Sequence, residues 1–114
     1  MNDIPEQLTS NVMTVELKAN EVVIKAGDTI QEVDNNTISG KLIVTNQRIY
    51  FRTIQESLRM HDLEINPENI QEVIYFGNGL FSAKGLDVIT IDGRSHRFPL
   101  KKRDEIGRLI NSMY

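Results

Sequence analysis

Cysteine is absent from this chain of 114 residues, and histidine occurs only twice. Without cysteine the protein has no disulfide, no thiolate nucleophile and no cysteine-based zinc site. Acid–base chemistry or metal binding would have to use His61 or His96. Their spacing matches no metal-binding motif, so the sequence predicts neither a metal nor a cofactor.

Long hydrophobic runs are also missing. The longest uncharged apolar run is Val73–Phe76, far short of the roughly 20 residues that span a bilayer. The first six residues contain neither a basic region nor an apolar segment, so we expect no signal peptide. With 39% hydrophobic and 25% charged residues, the composition is typical of one soluble globular domain, and we expect a cytoplasmic protein.

Charge is distributed unevenly around a net value of −3. Residues 1–39 contain seven acidic and two basic side chains, whereas residues 94–108 contain six basic and two acidic ones. Such an asymmetry could orient the protein at an anionic surface. The basic segment is too small for nucleic acid, where about six to ten phosphate contacts are common, so we predict no nucleic-acid partner.

Alternation of apolar and polar residues predicts strands along most of the chain. In the segment GKLIVTNQRIYFR, it favours a hairpin of strand 40–45 with strand 48–55, turning at Asn46-Gln47, where Asn tolerates a left-handed conformation. Turn signals at 34–36 and 92–93 separate further strands. These are predicted at 22–33 with an interruption at Gly27-Asp28, at 58–65 with a bulge near His61-Asp62, and at 70–76, 86–91 and 94–100.

The period changes near the C-terminus. Ile106, Leu109, Ile110 and Met113 share one helical face, which predicts a helix over about 102–112. Residues 1–20 read as an N-terminal extension whose pattern allows a strand but favours a short helix. The predicted fold is mainly β: about seven antiparallel strands in a partly open barrel or two near-orthogonal sheets, capped by the C-terminal helix.

Particular residues resemble the GRAM branch of the pleckstrin-homology-like (PH-like) superfold over about residues 20–114. The first is the opening Glu-plus-apolar strand at 21–24, followed by the hairpin pattern Gly-x-Leu-x-x-Thr-Asn-x-Arg-apolar-x-Phe at 40–51. Weaker matches are Ile65-x-x-Glu68-x-Ile70-x-x-Val73, the segment 86–93, Phe98-x-Leu100 and the closing helix. The resemblance assigns residues 21–114 to one GRAM/PH-like domain after the extension.

The resemblance implies a non-enzymatic module that attaches to membranes, lipids or protein partners. In phosphoinositide-binding PH domains, basic residues around the first hairpin loop hold the headgroup phosphates. The corresponding segment here, 27–39, contains three acidic residues and no basic one. An acidic loop repels a polyanion, so that lipid site is not transferred to this chain.

The two histidines are the only candidates for catalysis. Each lies in a predicted strand between polar neighbours, which fits a surface residue better than a general base. No nucleophile motif such as Gly-x-Ser-x-Gly accompanies them. We therefore predict that the protein is not an enzyme.

Basic residues near the end of the domain are the main binding candidates. They are Arg94, Arg97, Lys101, Lys102 and Arg103. Alternation puts the first two on opposite faces of a strand, and the other three lie at a strand–helix junction where Asp104 and Glu105 balance them. A solvated junction and an anion or acidic-partner site are the two interpretations. Arg48, in the hairpin motif, is expected to pair with a carboxylate or to support a turn.

The glycine-containing segment 77–85 lacks the Gly-Lys-Ser/Thr motif of a phosphate loop and reads as a strand connection. Within it, Leu80 and Phe81 either fold onto the core or project into a membrane or a partner's pocket.

Two functions follow from these residues. The favoured one is a module for a protein partner or a second copy of itself, bound at strand edges or loops, so that a homo-oligomer is one expectation. The alternative is peripheral binding to anionic membrane lipid through residues 94–103, assisted by Leu80 and Phe81.

Overall fold

The computed structural model describes residues 16–77 and 83–114. Over these residues the chain forms a four-stranded and a three-stranded antiparallel sheet, in the orders β1-β2-β3-β4 and β5-β6-β7, followed by one α-helix. The sheets do not close into a continuous barrel. The strands are β1 (Val23–Val33), β2 (Asn36–Thr45), β3 (Ile49–Thr53), β4 (Leu63–Ile65), β5 (Ile70–Phe76), β6 (Gly85–Thr90) and β7 (Ser95–Pro99), and the helix is α1 (Arg103–Asn111). The predicted mainly β fold with a C-terminal helix is confirmed.

Two left-handed residues make the turn between β1 and β2. Asp34 and Asn35 have φ values of 51° and 67°, as a type I′ turn requires, and Val33 pairs with Asn36 across it. The predicted interruption at Gly27-Asp28 is wrong, because both residues pair regularly with β2. The register shifts only near the start of the strand, between Val23 and Lys25.

The predicted β2–β3 hairpin is confirmed, but its turn works differently from the prediction. Asn46 does not adopt a left-handed conformation. Instead, the Thr45 hydroxyl accepts hydrogen bonds from the backbone N–H groups of Gln47 (3.0 Å) and Arg48 (2.9 Å). Asn46 accepts a 2.7 Å hydrogen bond from the N–H of Val22 through its side chain, which ties this turn to the residue before β1.

The strand predicted over residues 58–65 is mostly wrong. Glu56–His61 is a 3₁₀ helix, and only Leu63–Ile65 pairs as β4. Thr53 donates its N–H to Asp62 Oδ1 at 2.8 Å. This side-chain oxygen takes the place of the backbone acceptor that a longer β4 would have provided. The apolar alternation was misleading here because Met60 is 78% exposed.

The core lies between the two sheets and beneath α1. Ile106 and Ile110 of the helix are fully buried, as the predicted helical face requires. Gly107 lies directly under Tyr75, where a larger residue would collide with the phenol ring. The other buried apolar residues include Leu42, Val44, Ile49, Phe51, Leu86, Val88, Phe98 and Leu100. Within the described ranges, no helix has the length and apolar character needed to cross a membrane.

Candidate functional site

The basic residues singled out in the sequence do not form one cationic surface. Arg97, on β7, makes two 2.9 Å hydrogen bonds to the carboxylate of Asp87 on β6, and its guanidinium stacks 4.1 Å from the centre of the Phe76 ring. Arg94 precedes β7 and lies 3.6 Å from the carboxylate of Asp92 in the adjoining turn. Both arginines are therefore paired with acidic side chains of their own hairpin.

Arg103 has a structural role at the start of α1. Its guanidinium donates hydrogen bonds to the carbonyl oxygens of Phe76 and Gly77, and its side chain is only 14% exposed. It thereby fixes the end of β5 to the helix. Lys101 and Lys102, immediately before it, are exposed. Leu80 and Phe81 lie outside the described residues.

The hairpin arginine, Arg48, is the centre of a buried charge network. Its guanidinium contacts the Glu21 carboxylate at 2.8 and 3.1 Å and Glu64 at 3.1 Å. Hydrogen bonds from Arg48 lower the pKa of Glu21 to about 2, and they outweigh the opposing effect of burial. The expected carboxylate pairing of Arg48 is therefore present.

The same network holds the chain that precedes β1. Arg48 donates a 2.9 Å hydrogen bond to the carbonyl oxygen of Glu16, and the Thr45 hydroxyl donates one of 2.6 Å to Glu21. Glu21 also accepts the N–H of Lys18 at 2.8 Å. With all these groups satisfied inside the protein, the network is structural and offers no open position to a ligand.

The two histidines belong to different elements. His61 ends the 3₁₀ helix, whereas His96 is half-buried on β7 beside a cavity of about 300 Å³. Burial lowers the pKa of His96, and Asp92 opposes that shift. The cavity mixes Arg94 with Glu64 and Asp92, so it presents no single charge to a ligand.

An open groove of about 1030 Å³ lies between the edge of β1 and the junction of β7 with α1. Its apolar wall includes Ile30, Ile54 and Pro99, and its charged rim carries Asp28, Lys84 and Lys101. The remaining lining residues are Thr29, Ser39, Gly40, Gly77, Ala83, Leu100 and Arg103. A volume of this order matches common ligand sites.

The groove lies along a seam where β1 and β7 approach each other without forming a ladder. Leu100 donates its N–H to the carbonyl of Lys84, towards β6. Since backbone groups alternate in direction along a strand, the backbone of Arg97 and Pro99 faces β1. Proline has no N–H, so β7 cannot donate a hydrogen bond to β1 at that position.

One side chain bridges the seam. The Gln31 carboxamide donates hydrogen bonds to the carbonyl oxygen of Ile30 on β1 (3.1 Å) and to that of Arg97 on β7. Two facing carbonyls repel each other, and the amide supplies a donor to both. At the other end, a side chain on Gly27 would approach Leu100 and Ile106 at 3.3 and 3.1 Å, which marks close packing there.

Counting along the sequence does not identify the ion pair of Asp87 with Arg97, because a two-residue turn at Asp92-Gly93 would put Asp87 opposite Phe98, and the observed turn is one residue longer. The sequence does contain a signal for the seam. Pro99 within a predicted strand indicates an edge without a neighbouring ladder. Gln31 carries no such signal, because its two acceptors belong to strands far apart in the sequence.

No protein-family model and no curated protein sequence matches this chain. Solved structures do. The C-terminal domain of an unknown protein from Leishmania infantum matches with a TM-score of 0.67 at 16% identity, covering 83% of this chain and 85% of that one. The Vps36 N-terminal PH domain matches with a TM-score of 0.62 at 16% identity, covering 85% and 84%.

The hSac2 domain of the human phosphoinositide phosphatase Sac2 matches with a TM-score of 0.55 at 15% identity, covering 97% of this chain and 79% of that one. Sequence identities this low support a conclusion about the fold only. The two-sheet arrangement with its C-terminal helix and these likenesses agree: the chain has the PH-like fold.

Proposed function

We propose that this chain is a non-enzymatic binding module that takes a segment of a protein partner into the groove between β1 and the β7–α1 junction. The observation that carries the proposal is the groove itself: a cavity of about 1030 Å³ beside an unpaired strand edge, with apolar walls and a rim of mixed charge. Assignment to the GRAM branch is part of the proposal. It is supported by Glu21, Thr45 and Arg48, the motif residues that form one network.

The charges around the groove favour a polypeptide over a polyphosphate headgroup. Arg97 and Arg103 are engaged by Asp87 and by backbone carbonyls, respectively. The rim retains two lysines, Lys84 and Lys101, whereas the carboxylate of Asp28 is paired with Lys41. Two lysines beside an apolar wall match a peptide with one acidic side chain and an apolar neighbour, and they are few for a multiply charged headgroup.

A selection experiment with the full chain tests this function. A displayed library of random 12-residue peptides is panned on the immobilised protein, and recovered peptides are synthesised and measured by fluorescence anisotropy. We expect Ile54→Asp to weaken their binding at least tenfold, since Ile54 lines the groove and is 60% exposed.

Ile91→Asp is the matched control, because Ile91 is 63% exposed but lies at the β6–β7 turn outside this groove. Equal weakening by both substitutions, or a library that yields no binding peptide, overturns the proposal.

The exposure of Lys101 and Lys102 at the β7–α1 junction favours a second candidate, peripheral binding to anionic lipid. The test is co-sedimentation with vesicles of phosphatidylcholine alone or mixed with phosphatidylserine, at low and physiological salt. This candidate requires binding only to the anionic vesicles, weakened by salt and by Lys101→Glu with Lys102→Glu. Arg94→Glu, at the opposite end of β7, should leave that binding unchanged; absence of vesicle binding contradicts the candidate.

A further inference from the structure

The unpaired edge of β1 offers backbone hydrogen-bonding groups to the groove. The Val33–Asn36 pair flanks a two-residue type I′ turn and is therefore hydrogen-bonded, which fixes the alternation along β1. Odd-numbered residues from 27 to 33 bond to β2, and even-numbered residues face outwards along the strand edge. The contact of the Ile30 carbonyl with the Gln31 amide agrees with this assignment. Within the described ranges, Asp28 and Ile30 thus point their N–H groups towards the groove and have no strand to pair with.

β7 does not compete for these groups. Pro99 faces the same stretch of β1 and has no N–H to give. The seam is held at its two ends, by Gln31 against Arg97 and by Gly27 against Leu100. Between them lie the three residues 28–30, about 10 Å of strand at about 3.3 Å per residue. A stretch of this length pairs with about three residues of an extended segment, whereas a folded second copy would have to bring a whole sheet to it.

The side chains around the opening set the chemistry of the segment. Ile30 and Ile54 provide apolar surface on one wall. Lys84 and Lys101 are exposed on the opposite wall. Asp28 is already neutralised by Lys41, whose Nζ lies 2.6 Å from its carboxylate. The net charge left for a ligand is positive and lies opposite the apolar wall.

We propose that the partner segment binds as an added β-strand, hydrogen-bonded to Asp28 and Ile30 of β1, with an apolar side chain on Ile30 and an acidic side chain towards Lys84 and Lys101. This inference rests on the proposed function and specifies its ligand: an extended, acidic-apolar peptide. Side chains of a strand alternate between its faces, so one such segment meets both walls.

The experiment uses the peptides recovered by panning on the full chain. Each is resynthesised with single backbone N-methyl groups, which remove one N–H donor at a time and leave the protein unchanged. We expect losses of at least tenfold at every second position of the bound stretch and little effect between them. Amide hydrogen exchange should show new protection at Asp28 and Ile30 on binding, while the amide of Thr29, bonded to β2, should change little.

Charge reversal tests the acidic preference. Lys101→Glu should weaken acidic peptides about tenfold and strengthen their lysine-substituted counterparts. Lys102→Glu is the matched control, since Lys102 is exposed at the next position but does not line the groove.

The possible failures are distinct. Peptides that are sensitive to Ile54→Asp but show no alternating N-methyl effect, or no preference for acidic residues, overturn the strand-addition inference and leave the binding module in place. Failure to recover any peptide overturns both. If sedimentation shows a dimer in which Asp28 and Ile30 become protected without peptide, the occupant is a second copy and the inference is wrong.

Discussion

The segment before β1 and the middle of β1 meet the rest of the protein in opposite ways. Before its start, Glu21 lies inside a network in which Arg48, Thr45 and the Lys18 N–H satisfy its carboxylate. Further along, Asp28 and Ile30 face a seam that the Gln31 amide spans and that has no β-ladder among the described residues. Buried charges close the region around Glu21, whereas the edge at Asp28 and Ile30 is left open beside Pro99. The first region stabilises the fold, whereas the binding surface proposed for this protein lies at the second.

The strongest test of this contrast removes Arg48 from the buried network before β1. Arg48→Met leaves Glu21 buried without its partner, so we expect the free energy of unfolding to fall by about 3–5 kcal/mol in urea titrations. Arg97→Met is the control, because Arg97 pairs with Asp87 at the exposed surface and should cost much less. Similar losses in the two variants would mean that the buried network is no more important than a surface pair.

The second largest effect is expected from acid, which protonates Glu21 and so weakens its ion pair with Arg48. The pKa of Glu21 is about 2 in the folded protein, below its ordinary value of 4.5. A carboxylate with a lowered pKa stabilises the fold above pH 4.5, and this stabilisation is lost as the pH falls from 4.5 towards 2. Urea midpoints measured across that window should decline more steeply in the wild type than in Glu21→Gln. Parallel declines would contradict the assignment.

At the open seam, Gln31→Glu should cost about 1–2 kcal/mol, because it replaces a donor with a charged acceptor facing two carbonyl oxygens. Gln47→Glu provides the comparison, since the Gln47 amide donates to only one carbonyl, that of Ala19. Thermal denaturation of both variants measures the difference. A greater loss in Gln47→Glu would show that the seam does not depend on the bridging amide.

The smallest effect is expected where β1 contacts the helix. Lys25 lies 2.7 Å from the Glu105 carboxylate, and both side chains are well exposed. Lys25→Ala should therefore shift the urea midpoint only slightly, and about 1 M salt should abolish even that shift. A large, salt-insensitive loss would place this contact with the buried network rather than with the surface.

Local pattern was enough to predict most of the elements. The type I′ turn at Asp34-Asn35, the β2–β3 hairpin and the helical face of Ile106 and Ile110 all depend on residues close together in sequence. The segment around Met60 was misread because two-residue alternation does not reveal whether a side chain faces the core or solvent. The backbone conformation there depends on the side chain of Asp62, which accepts the Thr53 N–H in place of a neighbouring strand.

The groove could not be predicted in the same way. It depends on residues of β1 and β7 that are almost 70 positions apart in the chain, as the contact of Gln31 with Arg97 shows. The sequence groups Lys101 with Arg97 and Arg103 as binding candidates, whereas in the structure Lys101 lines the groove and the two arginines are engaged elsewhere. Their pairing with Asp87 and with backbone carbonyls is decided by register and by the helix position.

The long β1–β2 hairpin has a consequence for how the protein folds. Its ten residue pairs can form one after another, starting at the two-residue turn. Each new pair therefore adds a contact with little further loss of chain entropy. The β1–β7 seam joins distant segments and offers few bonds in return. The hairpin should therefore be formed early in the folding transition state and the seam late. Changes at Gln31 would then speed unfolding and leave the folding rate nearly constant.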